Sequence, residues 1–302
     1  MSQLGTIVLG GGSGFIGTAL SNLLKSKGYN IVVVSRTPGP SRMTWSELQS
    51  GGLPKGTTAV VSLAGQNVLD PTRGWSPGFK QNVWASRVHT TKYLADAIKE
   101  ADVKPKVFVS TSGVGFYPPS MTKEYDESSE GGDFDFLSKL CTDWENATQL
   151  PANLNVRTVI IRCGVVLGRN GGMIRQMFLP FYLGLGGPVG SGNQYLPWIH
   201  IHDVASLYLH AIETKDLTGV LNGVAPQLIT NKEFAKSFGR ALWRPSFIPL
   251  PTFVLNMMFS EERAKIMTEG QKVIPKKVIK SGFNYAYPDI NSAAKEFAKL
   301  IY

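Results

Sequence analysis

Thr6-Ile7-Val8-Leu9-Gly10-Gly11-Gly12-Ser13-Gly14-Phe15-Ile16-Gly17 is a short apolar run, then a glycine turn, then the start of a helix-like segment. Gly12-x-Gly14-x-x-Gly17, preceded by Gly11, has the G-x-G-x-x-G spacing. The spacing alone is a weak signal. Its position, directly after a strand and opening a helix, is the context that dinucleotide binding requires. The first glycines permit the tight turn. Gly14 lets the backbone approach a pyrophosphate, and Gly17 lets the helix pack close to the sheet. Backbone N–H groups at the helix start then face the phosphates.

The next segments extend this reading. Phe15 to Lys27 carries Ile16, Leu20, Leu23 and Leu24 on one helical face. Ile31–Ser35 is continuous and β-branched, as a strand covered on both faces should be. It ends as Val34-Ser35-Arg36. An NAD-selective site has Asp or Glu at that point. Here Ser35 offers a hydroxyl, and Arg36 can pair with a ribose 2′-phosphate. NADP(H) is therefore expected over NAD(H).

Further strand-like runs lie at Ala59–Leu63, Lys106–Thr111 and Val156–Arg162. Between them, Trp84, Val88, Thr91, Ala95 and Ile98 mark a long helix. Leu137, Leu140, Cys141, Trp144 and Ala147 mark another, with Glu145 read as a solvated acid beside a core tryptophan. Alternating β and α units of this length imply a parallel sheet with right-handed crossovers. The expected fold is α/β, a Rossmann-type doubly wound parallel sheet with a small C-terminal substrate-covering region. Residues 1–165 would form the NADP-binding core, and 166–302 would complete the sheet and supply the pocket and a C-terminal extension.

The second half is less regular. Met173 to Leu183 reads as a helix, and Gly184 to Gly192 as a mobile glycine-rich loop. Trp198–Ile201 is strand-like, with His200 and His202 alternating towards one side. No third ligand stands at useful spacing, so no metal site is expected. Asp203 is placed to cap a helix running to about Glu213. Thr230-Asn231-Lys232-Glu233 is a capping box. Phe253, Leu255, Met257 and Met258 read as apolar packing or pocket wall. Asn291 to Ile301 is a final amphipathic helix.

Composition narrows the function classes. The 302 residues include 31 Lys and Arg against 22 Asp and Glu, for a net charge of +9. The positive residues are spread out, and the densest group, Lys272, Lys276, Lys277 and Lys280, reads as a solvated face, so nucleic acid is not an expected partner. No run approaches the roughly 18 apolar residues of a membrane span. Cys141 and Cys163, the two cysteines, both lie in apolar segments and read as core residues in a reducing compartment. Strand-like sequence begins so early that no signal peptide is expected. The cytosol is the expected compartment, with an organelle also open.

Several linked motifs carry a resemblance. Gly11-x-x-Gly14-x-x-Gly17, Leu63-Ala64-Gly65, Ser110-Thr111-Ser112-Gly113-Val114, Arg162-Cys163-Gly164-Val165-Val166-Leu167-Gly168 and Trp198-Ile199-His200-Ile201-His202-Asp203 resemble the extended and atypical short-chain dehydrogenase/reductases. With Gly186-Gly187-Pro188-Val189-Gly190-Ser191-Gly192 and Asn222-Gly223-Val224-Ala225-Pro226, the resemblance narrows to epimerase-family proteins of the 39U class and their bacterial relatives. It covers essentially the whole chain. It implies a seven-stranded parallel sheet, bound NADP(H) and a substrate pocket covered by C-terminal segments. By motif position it implies cofactor contacts from Gly11, Gly12, Ser13, Gly14, Phe15, Ile16, Ser35 and Arg36, and from Leu63, Ala64, Asn82, Arg87 and Val165.

The catalytic pattern of that family is broken here. A Ser or Thr polarises the substrate oxygen, and a Tyr in Tyr-x-x-x-Lys moves the proton. Ser112 stands at the first position and Lys139 at the last, but Asp135 replaces the Tyr. Asp135 would ion-pair with Lys139 and be a poor acid at neutral pH. Tyr117, five residues after Ser112, or a water is left as proton carrier. Two readings follow: an NADP(H)-dependent oxidoreductase or epimerase-like enzyme on an unknown small substrate, or a catalytically silent NADP(H)-binding redox sensor or scaffold. The sequence names neither the substrate nor the oligomeric state.

Overall fold

The structure is a computed structural model that describes residues 4–299. Its first half runs β1 (Thr6–Gly10), α1 (Phe15–Ser26), β2 (Asn30–Ser35), β3 (Arg42–Thr44), α2 (Trp45–Gly51), β4 (Thr57–Ser62), α3 (Pro77–Glu100), β5 (Val107–Gly113), β6 (Glu124–Tyr125) and α4 (Phe136–Asn146). Then follow β7 (Arg157–Cys163), β8 (Val165–Leu167), α5 (Gly172–Tyr182), β9 (Trp198–His200), α6 (Ile201–Glu213) and β10 (Gly219–Gly223). The chain continues through α7 (Asn231–Ala241), α8 (Thr252–Phe259), α9 (Glu261–Thr268), β11 (Lys272–Val273), α10 (Lys276–Lys280) and α11 (Ile290–Phe297). The final helix expected to reach Ile301 thus ends at Phe297, and residues 300–301 lie outside the described span.

Alternation along the strands sets the layers. Ile7 and Leu9 face one side of β1 and join a core with Leu20 and Leu24 of α1 and Val204 and Leu207 of α6. Val8 faces the other side and packs with Val60, Phe108, Leu94 and Ile98. Period-two exposure of apolar residues to two helical layers is what a doubly covered strand requires. Burying each such side chain stabilises by about 1.5–3 kcal/mol. The seven strands pair in the order β10-β7-β5-β4-β1-β2-β3. Every pairing in that sheet is parallel. This is the Rossmann-type sheet that the sequence predicts.

The second half corrects several expectations. His200 and His202 do not face one way, because β9 ends at His200 and His202 already belongs to α6. His200 is buried and His202 exposed. Asp203 does not cap α6. The cap is His200, whose Nδ1 accepts the His202 backbone N–H at 3.2 Å. Asp203 is fully buried one turn further on and accepts from the backbone N–H groups of Ala286 and Tyr287, at 2.8 and 2.9 Å. It therefore ties the chain beyond α10 to α6. The Gly184–Gly192 segment is not a free loop. Ile248 N–H donates to Gly186, Leu250 N–H to Pro188, and Gly190 N–H back to Leu250. A Cβ on Gly187 would fall 2.0 Å from the Ile248 carbonyl oxygen. Its glycines serve close backbone approach, not mobility.

Cys141 and Cys163 are buried and unpaired. Burial pushes their thiols up to about 11 and about 12. Lys272 pairs with Glu124 and Lys276 with Asp126, which offsets two of the four charges of the basic run, while Lys277 donates to the Thr218 carbonyl. Among the described residues no helix is long and apolar enough to cross a membrane.

His200 also gives a pH prediction. Its Nδ1 accepts, so its Nε2 carries the proton that bonds Glu296 at 2.8 Å. Burial lowers its pKa below the usual 6.5, and Glu296 only partly offsets that. The unfolded chain then binds more protons below about pH 6.5, and stability falls as pH drops towards the folded value. His210, lowered by burial as well, acts in the same direction. We expect the thermal midpoint to fall from pH 7 to pH 5, with a shallower fall in His200→Gln. An identical slope in that variant refutes the assignment.

Candidate functional site

The glycine turn leaves backbone N–H groups at the start of α1 that could hold an anion. Gly11 has φ of +80°, which only glycine adopts at little cost. Gly14 caps α1 without a side-chain hydrogen bond, which leaves the first-turn N–H groups available. A Cβ on Gly14 would meet nothing closer than the Gly11 oxygen at 3.4 Å, so the space above it is open. A Cβ on Gly17 would collide with Gly11 and Gly12 backbone at 2.5–2.7 Å. Ser13 is exposed at the turn, while Ile16 packs into the core.

The flanking residues surround this turn. Ser35 is buried at the end of β2, and its hydroxyl donates to the Thr37 carbonyl at 2.6 Å. Arg36 is exposed and makes no hydrogen bond or ion pair among the described residues. Leu63 N–H donates to Gly10 at 2.8 Å. Ala64 lies against Gly11, where a Cβ would approach its nitrogen to 2.6 Å. A recess of about 270 Å³ beside the turn is bordered by Gly12, Ser13, Lys25 and Arg42. The sequence reading missed Lys25 and Arg42. A cation shortly after Arg36, leading into β3, was the available signal.

On the far side of the sheet, Arg87 is half-buried in α3. It donates to the Val83 carbonyl at 3.1 Å and lies over the Trp144 ring at 5.3 Å. Loss of solvent brings its guanidinium down to about 10. Asn82 is exposed on the same helix. Phe15 and Val165 line a cavity of about 760 Å³ beyond the turn.

Register assembles the catalytic candidates. Ser112 of β5, Arg162 of β7 and Asn222 of β10 occupy one row across three adjacent strands. Their side chains therefore share a face. Ser112 Oγ donates to Glu145 Oε1 at 2.8 Å. Arg162 grips the same carboxylate through Nε and Nη2, both at 2.8 Å. Its Nη1 donates to the Tyr117 hydroxyl at 2.9 Å, and that hydroxyl donates to Asn222 Oδ1 at 2.8 Å. Glu145 is therefore no solvated acid; its side chain is 12 % exposed and accepts three hydrogen bonds from two partners. Burial lowers the Arg162 pKa, but Glu145 more than offsets this and the net shift is upward.

Tyr117 is fully buried, stacked on Tyr125 with centroids 5.1 Å apart. Burial raises its pKa against the opposing pull of Arg162. The structure thus joins Ser112 and Tyr117 through Arg162 and Glu145, and leaves Lys139 out of the network.

The sequence model of the NAD dependent epimerase/dehydratase family matches residues 7–222. The chain belongs to this family. Residues 250–297 match a domain of unknown function, DUF1731. The bovine epimerase family protein SDR39U1 is 52% identical over 291 residues, spanning 96% of this chain and 98% of its own length. The chloroplastic SDR39U1 homolog of Arabidopsis thaliana is 35% identical, over 96% of this chain and 86% of its own. The crystal structure of human epimerase family protein SDR39U1 (isoform 2) with NADPH matches at a TM-score of 0.95 and 52% identity, covering 97% of this chain and 99% of that one.

By the sequence reading, Asp135 and Lys139 stand in place of the Tyr-x-x-x-Lys pair, and the structure gives Asp135 a capping task. Asp135 caps α4, accepting the Ser138 N–H at 2.7 Å, and Ser138 Oγ accepts the Asp135 N–H in return. The expected Asp135–Lys139 ion pair does not form among the described residues. Asp135 turns its carboxylate to the helix N-terminus, where the orphan N–H groups hold it. Lys139, in the first turn of α4, points to solvent.

Proposed function

We propose that this epimerase-family chain binds NADP(H) and acts as an oxidoreductase on a small carbonyl or alcohol. The observation that supports it is the glycine turn flanked by Arg36, with no carboxylate at the end of β2, opening towards a deep cavity. Gly11 to Ile16 would hold the pyrophosphate and Arg36 the 2′-phosphate. Leu63 and Ala64 would border the adenosine, Asn82 and Arg87 would line the α3 side, and Val165 would flank the nicotinamide. The NADPH-bound human relative supports the phosphate-bearing form. When bound, the cofactor supplies the hydride.

The chain's own part is orientation and proton handling. Ser112 Oγ donates to Glu145 from a buried position at the end of β5, so it would act on a substrate hydroxyl that reaches that strand end, accepting its proton while its own passes to Glu145. Arg162 fixes Glu145 from behind. Tyr117, sealed in the core, would hold Arg162 rather than carry a proton to the cavity. Water replaces it as carrier in this reading. Epimerisation of a sugar finds little support, because Asp135 caps a helix.

Three observations favour the silent-sensor reading: Tyr117 is buried, Lys139 is solvated and the Ser112 proton is already engaged. Two variants separate the readings. Arg36→Glu should weaken NADPH binding by about 10- to 100-fold, the worth of one lost charge-assisted contact plus repulsion, and leave NADH within a few-fold. Ser112→Ala should leave NADPH affinity intact and slow its oxidation by carbonyls by about 100-fold or more. NADPH and NADH bound equally by both proteins would defeat the cofactor assignment. Tight NADPH binding without turnover on a broad carbonyl panel would install the sensor reading.

A further inference from the structure

The cavity wall is uneven in chemistry. Met173, Met177, Phe181, Leu250, Met258 and Ile266 make its apolar part. Its charged residues are Asp135, Glu262, Glu269 and a single cation, Lys265. Glu262 is already paired with Lys80 at 2.6 Å. No arginine stands among the described residues that line it. A nucleotide sugar brings a diphosphate, which calls for arginine forks or clustered cations. An acid-rich wall repels it.

The apolar character continues outside. Ile248, Leu250 and Met258 belong both to the cavity and to the surface, at 43%, 38% and 57% exposure. Phe247, Phe253 and Met257 extend the exposed band along the same stretch of chain. Leu183 and Leu185 adjoin it, held there by Arg244 donating to the Tyr182 carbonyl and Ile248 N–H donating to Gly186. An exposed apolar band of this kind marks a binding site. Here it runs into a pocket, and the methionines adapt the wall to flexible apolar shapes.

We propose that the cavity takes an uncharged, lipophilic carbonyl compound or its alcohol, entering across the Phe247–Met258 rim, and not a nucleotide sugar. This rests on the oxidoreductase reading above for its reaction and on the cavity alone for its ligand class. In the reducing direction the carbonyl carbon gains a hydride, which carries two electrons, from NADPH, and the oxygen gains one proton from water. NADPH is oxidised to NADP⁺, and the alcohol leaves.

The test uses the full chain, with decanol, decanal and UDP-glucose as probes. Calorimetric titration of the NADP⁺-loaded protein should show decanol binding at micromolar to low-millimolar concentration and no binding of UDP-glucose. Ile248→Asp and Met258→Asp, both at exposed positions, should each weaken decanol by about tenfold through lost apolar burial. Circular dichroism melting should show both variants folded. Decanal should oxidise NADPH, and UDP-glucose should not inhibit. Binding of UDP-glucose in preference to decanol, or decanol affinity untouched by both variants, overturns the ligand class. Decanol binding with the expected variant losses but no NADPH oxidation by any carbonyl supports the ligand class and defeats the oxidoreductase reading instead.

Discussion

Gly17→Ala is expected to abolish useful NADPH binding, raising Kd by more than about 100-fold, and to destabilise the fold by about 1–3 kcal/mol. The new methyl would lie 2.5 Å from the Gly11 oxygen, 2.6 Å from Gly12 Cα and 2.7 Å from the Gly12 carbonyl carbon. All three obstacles are backbone, so no side chain can swing away. Either α1 retreats from the turn or the turn shifts. Both movements displace the N–H groups that α1 presents to the pyrophosphate. Each charge-assisted hydrogen bond is worth about 1.5–3 kcal/mol, and losing two accounts for the affinity change. Titration calorimetry and urea unfolding measure the two effects. Affinity within about threefold of the parent would show that the turn and α1 are not rigidly coupled.

Glu145→Ala is expected to cost about 3–5 kcal/mol of stability, because it strands a buried guanidinium. Arg162 loses both 2.8 Å bonds and keeps only its contacts with Tyr117 and the Phe116 ring, the latter at 3.4 Å from the centroid. Ser112 loses its acceptor in the same step. Glu145→Gln keeps an acceptor for both partners and should cost less. The double variant Glu145→Leu with Arg162→Met removes both charges and should regain part of the loss. Denaturant midpoints read this directly. A Glu145→Ala protein as stable as its parent would mean that water reaches Arg162 freely and the pair is no buried network.

The nucleotide turn was legible because its signal is local. Strand, turn and helix follow one another in Thr6–Ser26, and each glycine answers a constraint set by its own neighbours. The exposed Arg36 at the end of the next strand is equally local, and its proposed phosphate contact follows from chain order alone. Arg263 shows the opposite case. It is almost wholly buried and donates to the main-chain carbonyls of Val68, Asp70 and Arg73. It fixes the loop that brings Trp75 to the cavity wall, yet nothing around Glu261–Thr268 distinguishes it from a solvated helix arginine. Glu145 was misread for a related reason: a carboxylate on an amphipathic helix looks solvated until its partner strand is known. The missing tyrosine was visible, but the capping role of Asp135 needed the start of α4.

The amino-acid sequence by itself determined the parallel α/β layering, the glycine turn that opens α1 and a β2 end that carries Arg36 and no carboxylate. Hydrophobic period, glycine spacing and side-chain charge act over a few residues, and the chain order displays them. Only the tertiary structure decided that Ser112, Arg162 and Asn222 stand in one row and close a network with Glu145 and Tyr117. It alone also decided that the 247–258 stretch lines an apolar mouth. Strand register and the docking of distant segments arise from packing between parts of the chain up to a hundred or more residues apart, which no local pattern encodes.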